Sequence, residues 1–389
     1  MARGSVMKRG STWSVVLDVG PDPATGRRRQ KWKGGFRTRK AAEVALRELT
    51  ASVDSGRYVE RSTTSMGDYL DEWLEVVRPR LRPTSWNSYR MAVERIKGRV
   101  GALALQSLTP LDIEDLYKEL LSTGRAGGRP LSPKTVRNTH IVLRKALADA
   151  ERLGLVVRNA ASAARPPVPS KREHTTWAAE ELARFLGSIE GERLAAAFVL
   201  LATTGMRRGE ALGLRWSDVD LKAGRLSIVQ TVTTVNDKIV ITPPKTAKSR
   251  RSVSLDPETA SELREHRRRQ NGERLKAGEL WAGEGDLVFT DEFGQPVHPS
   301  ALSRLFASSV RRAGLPVIRL HDLRHTYATV ALGAGVHPKI VSERLGHATT
   351  AVTLDLYSHV TPTIDAEAAA LVASRIFDPR GAGDAERRL

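Results

Sequence analysis

The sequence predicts a multidomain, mainly α-helical protein with small β-sheets, and three observations point there. The chain has 389 residues, 40% of them hydrophobic, which is enough for more than one domain at roughly 100 to 200 residues each. Apolar residues recur at helical spacing over most of the length. Strand-like alternation is confined to a stretch near the N-terminus and another past residue 220, and a proline-rich break lies between them.

Residues 1–62 carry 14 basic and 6 acidic residues, so +8 of the total +18 sits in this short segment. Within it "TWSVVLDV" alternates like a half-buried strand, and "RRRQKWKGGF" supplies a basic strand ending at Gly34 and Gly35. "TRKAAEVALRELTASVDSG" has helical spacing with Thr38 as its N-cap. A small sheet packed on one helix follows. Such a sheet can lay a basic ribbon in a DNA groove, with Arg28, Lys31 and Lys33 as candidate contacts; the competing reading is a solvated basic appendage.

Residues 63–160 turn helical through "SMGDYLDEWLEVV", "TSWNSYRMAVERI", "TPLDIEDLYKELL" and "SPKTVRNTHIVLRKALADAERLG". Each begins near Ser, Thr or Pro in capping positions, with Pro133 suited to a first turn. Four helices with short connections predict a compact bundle. In the fourth, Lys134, Arg137, Arg144 and Lys145 are candidates for a phosphate backbone, or equally the solvated side of that helix.

"ARPPVPSKREHTTW" has the composition of an extended linker, placing a boundary over 161–175. From 176 to 377 helices surround one strand-rich stretch, "RLSIVQTVT", "KIVITPP" and "RRSVSLD". The tail, 378–389, has the composition of a disordered end.

Composition narrows the function classes. Cysteine is absent, which removes disulfides, thiolate metal sites and a cysteine nucleophile, and favours an intracellular compartment. The apolar run "LAAAFVLL" at Leu194–Leu201 is far short of the roughly 18 residues that suggest a membrane span. Asp18 interrupts the apolar part of the N-terminus, so a secretory signal is not expected there, and the predicted location is cytoplasmic, with no membrane partner. A net charge of +18 points to polyanions, nucleic acid first; arginine-rich usage in a GC-rich genome is the other explanation of the basic count.

Three clusters carry candidate chemistry. "TTGMRRGEALGLRWSDVD" presents Arg207, Arg208 and Glu210 at a helix start, "RLHDLRHTYAT" presents His321, Arg324 and His325, and "LGHATTAVTLDLYSHV" presents His347 ten residues before Tyr357. Between the first two, "PPKTAKSRRSV" places Lys245 and Lys248 at a turn between strands. His321 and His325 at i, i+4 could share a helix face as in a zinc helix, but Arg324 beside them disfavours a second cation. Any one cluster alone is explained by a satisfied helix end or core carboxylate.

Together, arginine, histidine, lysine and tyrosine are the groups that break a phosphodiester without a metal. Arginine forks receive the charge that gathers on the non-bridging oxygens. Lysine gives a proton to the departing oxygen. Tyrosine attacks phosphorus, and with an unperturbed pKa of about 10 it needs a base or a strongly positive site. A covalent phosphotyrosine preserves the energy of the cut bond, so the predicted reaction is reversible DNA strand transfer that needs no cofactor and no metal.

At these residues the sequence closely resembles the tyrosine recombinases, specifically phage-type integrases. "TTGMRRGEALGLRW" resembles the family's first arginine motif, "HDLRHTYAT" its His-x-x-Arg motif, and "LGHATTAVTLDLYSHV" its closing histidine and nucleophile motif, in the family's order across about 150 residues. The resemblance implies an arm-type DNA-binding domain over 1–62, a helical core-binding (SAM-like) domain over 63–160, and a mixed α/β catalytic domain over 176–377. It makes Tyr357 the nucleophile forming a 3′-phosphotyrosyl link, Arg207 and Arg324 the phosphate clamp, and Lys245, in preference to Lys248, the general acid. His321 would assist proton transfer at the tyrosine, His347 would hydrogen-bond a non-bridging oxygen, and Glu210 would support the site, with His325 left structural. It also implies core and arm DNA attachment sites, a homotetramer exchanging strands through a Holliday junction, and a bacterial nucleoid setting. A DNA-bending host factor, an excision factor and a C-terminal helix docking on a neighbouring subunit through Ile364, Ala368, Leu371, Val372 and Ile376 are further implications. A XerC-like resolvase, less expected because such enzymes lack the basic N-terminal domain, a type IB topoisomerase, a non-catalytic DNA-binding regulator and a metal-dependent phosphodiesterase are the alternatives.

Overall fold

A computed structural model of the chain describes residues 4–21, 26–55, 58–124, 128–170, 175–244, 249–347, 349–350, 353–354, 372–373 and 376–377. It divides into two compact units, Met1–Lys171 and Arg172–Leu389.

The first unit opens with an antiparallel sheet in the order β1 (Gly4–Arg9), β2 (Thr12–Pro21), β3 (Arg28–Phe36), followed by α1 (Arg39–Asp54). Thr38 caps α1 by accepting the Ala41 N–H at 3.2 Å. Val15, Ala42 and Ala45 form the small core, joined by Val6, Trp13, Phe36, Leu46 and Leu49. The strand β1 was not among the expected elements. Only Val6 of its six residues escapes full exposure, so it carries no apolar alternation for a sequence pattern to reveal.

Four helices follow: α2 (Met66–Val77), α3 (Pro83–Val100), α4 (Pro110–Ser122) and α5 (Pro133–Arg152). Ser65, Thr109 and Ser132 cap α2, α4 and α5 with their side chains, and Thr109 with Asp112 makes a full capping box. Their apolar faces meet in one core around Leu70, Ile96, Ile113, Leu116 and Leu143. Tyr69 donates to the Ala146 carbonyl at 2.6 Å and Trp73 to Asp149 at 2.9 Å, pinning α2 to α5. Ala161 and Ala164 also lie in this core, and Asn159 donates to the Arg144 carbonyl at 2.8 Å. The extended linker expected over 161–175 is therefore corrected at its start: small alanines there pack onto the bundle, a contact that proline-rich composition conceals.

The second unit contains α6 (Ala179–Ser188), α7 (Ala195–Thr204), α8 (Arg208–Leu212), β4 (Val219–Asp220), β5 (Arg225–Ile228), β6 (Thr231–Val235), β7 (Lys238–Thr242), β8 (Arg251–Ser254), α9 (Pro257–Ala277), α10 (Pro299–Arg312), α11 (Asp322–Gly333) and α12 (Pro338–Leu345). The apolar helix α7 lies in a core with Phe185, Phe289 and Phe306, its run of apolar residues buried on nearly every side. β4, β5 and β8 form one antiparallel sheet, while β6 and β7 form a separate hairpin turned by Asn236 and Asp237, both at positive φ.

"RLSIVQTVT" is thus two strands of different sheets. The break at Val229 and Gln230 follows from close packing against α8, where a Cβ on Gly209 would sit 2.5 Å from the Val232 carbonyl oxygen. Gln230 donates to the Gly213 carbonyl at 2.8 Å, holding β6 across that helix. Of the C-terminal stripe, only Val372 and Ile376 lie within the described residues, both exposed; Ile364, Ala368, Leu371 and the tail 378–389 lie outside them.

Candidate active site

The site is built where the end of α7, the start of α8 and α11, and the end of α12 converge. Gly205 ends α7 in the left-handed conformation, φ 63°. A Cβ there would lie 2.4 Å from Leu345 Cδ2 and 2.6 Å from Tyr327 Cδ1, so glycine serves both the turn and the approach of α11 and α12. Two residues on, Arg207 stands at the N-cap of α8, with its backbone N–H donating to Glu210 Oε2 at 2.9 Å and its Nη1 to Oε1 at 2.8 Å.

Arg324 lies on α11 and is 4% exposed. Its guanidinium donates to the Gly205 carbonyl and to the Leu345 carbonyl, both at 2.7 Å. Arg207 donates to the next carbonyl, Gly346, at 3.2 Å. Adjacent carbonyls at the C-terminal end of α12 therefore hold both guanidiniums, where the helix dipole also favours cations. Burial lowers Arg324 to about 9, helped by repulsion from Arg207; the group remains a cation at neutral pH.

Glu210, 4% exposed, accepts from a second arginine that the sequence patterns did not single out. Arg251, at the start of β8, donates to Glu210 at 3.0 and 3.2 Å, to the Arg344 carbonyl at 2.5 Å and to the Ser249 carbonyl. Burial opposes ionisation of Glu210, but Arg251 and then Arg207 outweigh it and hold the carboxyl below its usual range. The available signal was strand alternation: Arg251 shares a face of β8 with the buried Val253, an inward position rarely given to arginine. Glu210→Ala leaves Arg251 a buried cation without its counter-charge, and the expected cost is about 3–5 kcal/mol of stability in this unit. Denaturant unfolding checks this, and a loss below about 1 kcal/mol would contradict the brace.

His347 follows α12 directly, and its Nδ1 is 2.8 Å from Thr353 Oγ1. Burial, followed by the Arg324 and Arg207 cations, pushes its imidazole down to about 4. His321, at the N-cap of α11, is solvent-exposed on one side and crowded by protein on the other; that crowding, then Arg324, also holds it below its ordinary value. Both rings are neutral at pH 7. For His347 the unfolded chain, near 6.5, binds a proton that the folded site refuses, so its stabilising contribution is complete above about 6.5 and is lost as pH falls toward 4. A histidine-resolved NMR titration of the DNA-free protein is expected to show His347 uncharged until about pH 4; a midpoint near 6.5 would contradict the cationic setting.

Asp322 orients the entry to α11, accepting the Arg319 backbone N–H at 2.9 Å and its guanidinium at 2.7 and 2.8 Å. The His321 and His325 rings meet edge to face with centroids 5.4 Å apart. Among the described residues no group of three or more His, Asp or Glu side chains is arranged to hold a metal ion.

The structure thus brings together Arg207, Glu210, His321, Arg324 and His347. Tyr357, Lys245 and Lys248 lie outside the described residues. Of the DNA-contact candidates, Lys134, Arg137, Arg144 and Lys145 are all exposed on one face of α5. Lys145 sits 5.2 Å over the Tyr89 ring. On β3, Lys31 pairs with Glu60 and Lys33 lies 5.9 Å from the Phe36 ring, while the Arg28 side chain is outside the described residues.

Residues 177–363 match the Phage integrase family, residues 5–53 an Arm DNA-binding domain, and residues 65–121 the Phage integrase N-terminal SAM-like domain. A XerC-like tyrosine recombinase of Caldanaerobacter subterraneus is 30% identical over 370 residues, 90% of this chain and 93% of the relative. The chain belongs to the phage integrase family of tyrosine recombinases. This recombinase is also similar to the ICEBs1 integrase of Bacillus subtilis, at 25% identity over 92% of the chain and 95% of the relative. Its fold matches the Tn1549 transposon integrase solved with a circular intermediate DNA, with a TM-score of 0.65 at 19% identity over 79% of the chain and 99% of that structure. It matches the lambda integrase tetramer bound to a Holliday junction at 0.56 and 17%, over 90% and 94%.

Proposed function

We propose that this recombinase integrates a phage or other mobile element by cutting and rejoining DNA at specific sites, and excises it with accessory factors. The observation that carries the reading is the pair of guanidiniums, Arg207 and Arg324, held side by side by the Leu345 and Gly346 carbonyls next to a neutral histidine. That arrangement is a receptor for a singly charged phosphodiester, since each guanidinium carries five N–H donors and can keep its carbonyl bonds while it forks onto phosphate oxygens.

In the proposed reaction the Tyr357 oxygen attacks phosphorus, its proton passing to neutral His321. The P–O5′ bond breaks, and the departing oxygen takes a proton from Lys245, leaving a 3′-phosphotyrosyl link and a 5′-hydroxyl. Neutral His347 donates a hydrogen bond from Nε2 to a non-bridging oxygen, its Nδ1 being engaged by Thr353. Glu210 touches no substrate; with Arg251 it sets the position of Arg207. Rejoining is the reverse reaction with a 5′-hydroxyl from a partner strand, so four protomers on two sites exchange strands in pairs.

In this reading residues 1–62 bind arm-type DNA through Arg28, Lys31 and Lys33, residues 63–160 grip the core site through the basic face of α5, and 176–377 catalyse. A bending protein and an excision factor set direction, and the enzyme works on the host nucleoid. A type IB topoisomerase would share the chemistry, but the arm-domain match at 5–53 favours recombination. Deleting residues 1–62 is expected to leave cleavage of a short core duplex unchanged while recombination between full attachment sites falls at least about tenfold. Equal recombination by the truncated chain would contradict the arm assignment.

A further inference from the structure

The arginine run on α9 takes no part in the site above. Arg264, Arg267, Arg268 and Asn271 stand at i, i+3, i+4 and i+7, so they share one exposed face. With Lys222 and Arg225 they line a groove of several hundred Å³ between α9 and the turn Ser217–Ala223. Arg269, between them, points elsewhere and donates to the Gly191 and Glu192 carbonyls.

Two acids share the groove, and both are already engaged. Asp218 is clasped by Arg215 at 2.7 and 2.9 Å, and Asp220 accepts the backbone N–H groups of Lys222 and Ala223. Glu265 pairs with Arg268 at the rim. Two of the groove cations are also held in place: Arg264 donates to the Leu221 carbonyl at 2.7 Å, and Arg267 lies 5.0 Å over the Trp216 ring. Trp216 is itself fixed by a 2.6 Å bond to Gln270, on the buried face of the same helix. Immobilised guanidiniums lose little further freedom on meeting a phosphate.

We propose that this groove is a second DNA-binding surface, taking the sugar–phosphate backbone of a duplex segment outside the catalytic pocket. β5 and β8 pair Arg251 with Ile228 and Val253 with Leu226, whereas the groove-lining Arg225 and Ser227 alternate with these, so the groove lies on the sheet face opposite the Arg251 brace. Duplex DNA is the occupant favoured by charge: among the lining side chains five cations outnumber two acids, Asp218 and Asp220. The proposal rests on reading the chain as a DNA recombinase, and its test separates the two.

The test compares the full chain with R264Q/R267Q/R268Q and R264K/R267K/R268K, on a long duplex carrying arm and core sequences and on a short core duplex. The Gln variant is expected to bind the long duplex at least about tenfold more weakly near 0.15 M salt, with a log–log salt slope shallower by about 2.7 if all three arginines meet phosphates, since each lost contact removes about 0.9. The Lys variant should restore most of both, and cleavage of saturating short core duplex should be unchanged in all three. Unchanged affinity and slope in the Gln variant would overturn the proposal and leave a solvated helix face. An equal affinity loss on the short duplex would overturn it in favour of an ordinary core-site grip, and a Lys variant as weak as the Gln variant with a lowered Tm would mark the arginines as structural. Core cleavage by the unsubstituted chain tests the recombinase reading separately.

Discussion

Tyr357→Phe is expected to abolish the covalent protein–DNA product and all recombination, while DNA affinity stays within about twofold of the parent. The substitution removes one oxygen, and that oxygen is the atom proposed to join phosphorus. Phenylalanine offers no nucleophile at that position. The loss is expected on the order of a thousandfold or more, as for other nucleophile deletions. A suicide substrate trapped on SDS gels reads it directly. Persistence of the covalent band in the Phe variant would mean that another side chain attacks.

Arg324→Ala carries the second large effect, and it acts twice. Its guanidinium is proposed to stabilise the phosphorane charge, so the chemical step should slow by a hundredfold or more, about 3–4 kcal/mol. It also satisfies the Gly205 and Leu345 carbonyls in a buried setting, and leaving these without a donor costs stability as well. Arg207→Ala tests the catalytic part with less structural damage, because Arg207 is 38% exposed and touches one backbone carbonyl. Single-turnover cleavage should fall in both variants, thermal stability chiefly in the Arg324 variant, and DNA affinity in neither by more than a few-fold. Parallel losses of binding and cleavage in Arg207→Ala would argue that the arginine serves affinity and not the transition state.

Much of the site was legible because its motifs sit at helix ends. Arg207 and Glu210 open α8, His321 and Arg324 open α11, and His347 follows the C-terminus of α12, so short local patterns carry them. Arg251 was not legible by motif. Its role depends on a strand position facing a carboxylate 41 residues earlier in the chain, and only tertiary packing makes that pairing visible. The same holds for the groove on α9, where the arginines are conspicuous in sequence but the Trp216 ring and Leu221 carbonyl that fix them are not. In the fold, cap residues marked the helices of the first unit well, since Ser65, Thr109 and Ser132 act locally. β1 escaped notice because all its side chains but Val6 face solvent, and the single strand read across Val229 proved to be two, with Gly209 of α8 packed against the Val232 carbonyl of β6.

Peptide mapping of the covalent adduct is the sharpest test of the proposed metal-free attack on phosphorus by Tyr357. The unsubstituted protein is incubated with a nicked core-site substrate in excess chelator, digested, and the DNA-linked peptide is sequenced by mass spectrometry. The expected product is a phosphotyrosyl link at Tyr357, formed as fast with chelator as without. An adduct on any other residue, or cleavage that appears only when a divalent metal is restored, would contradict it.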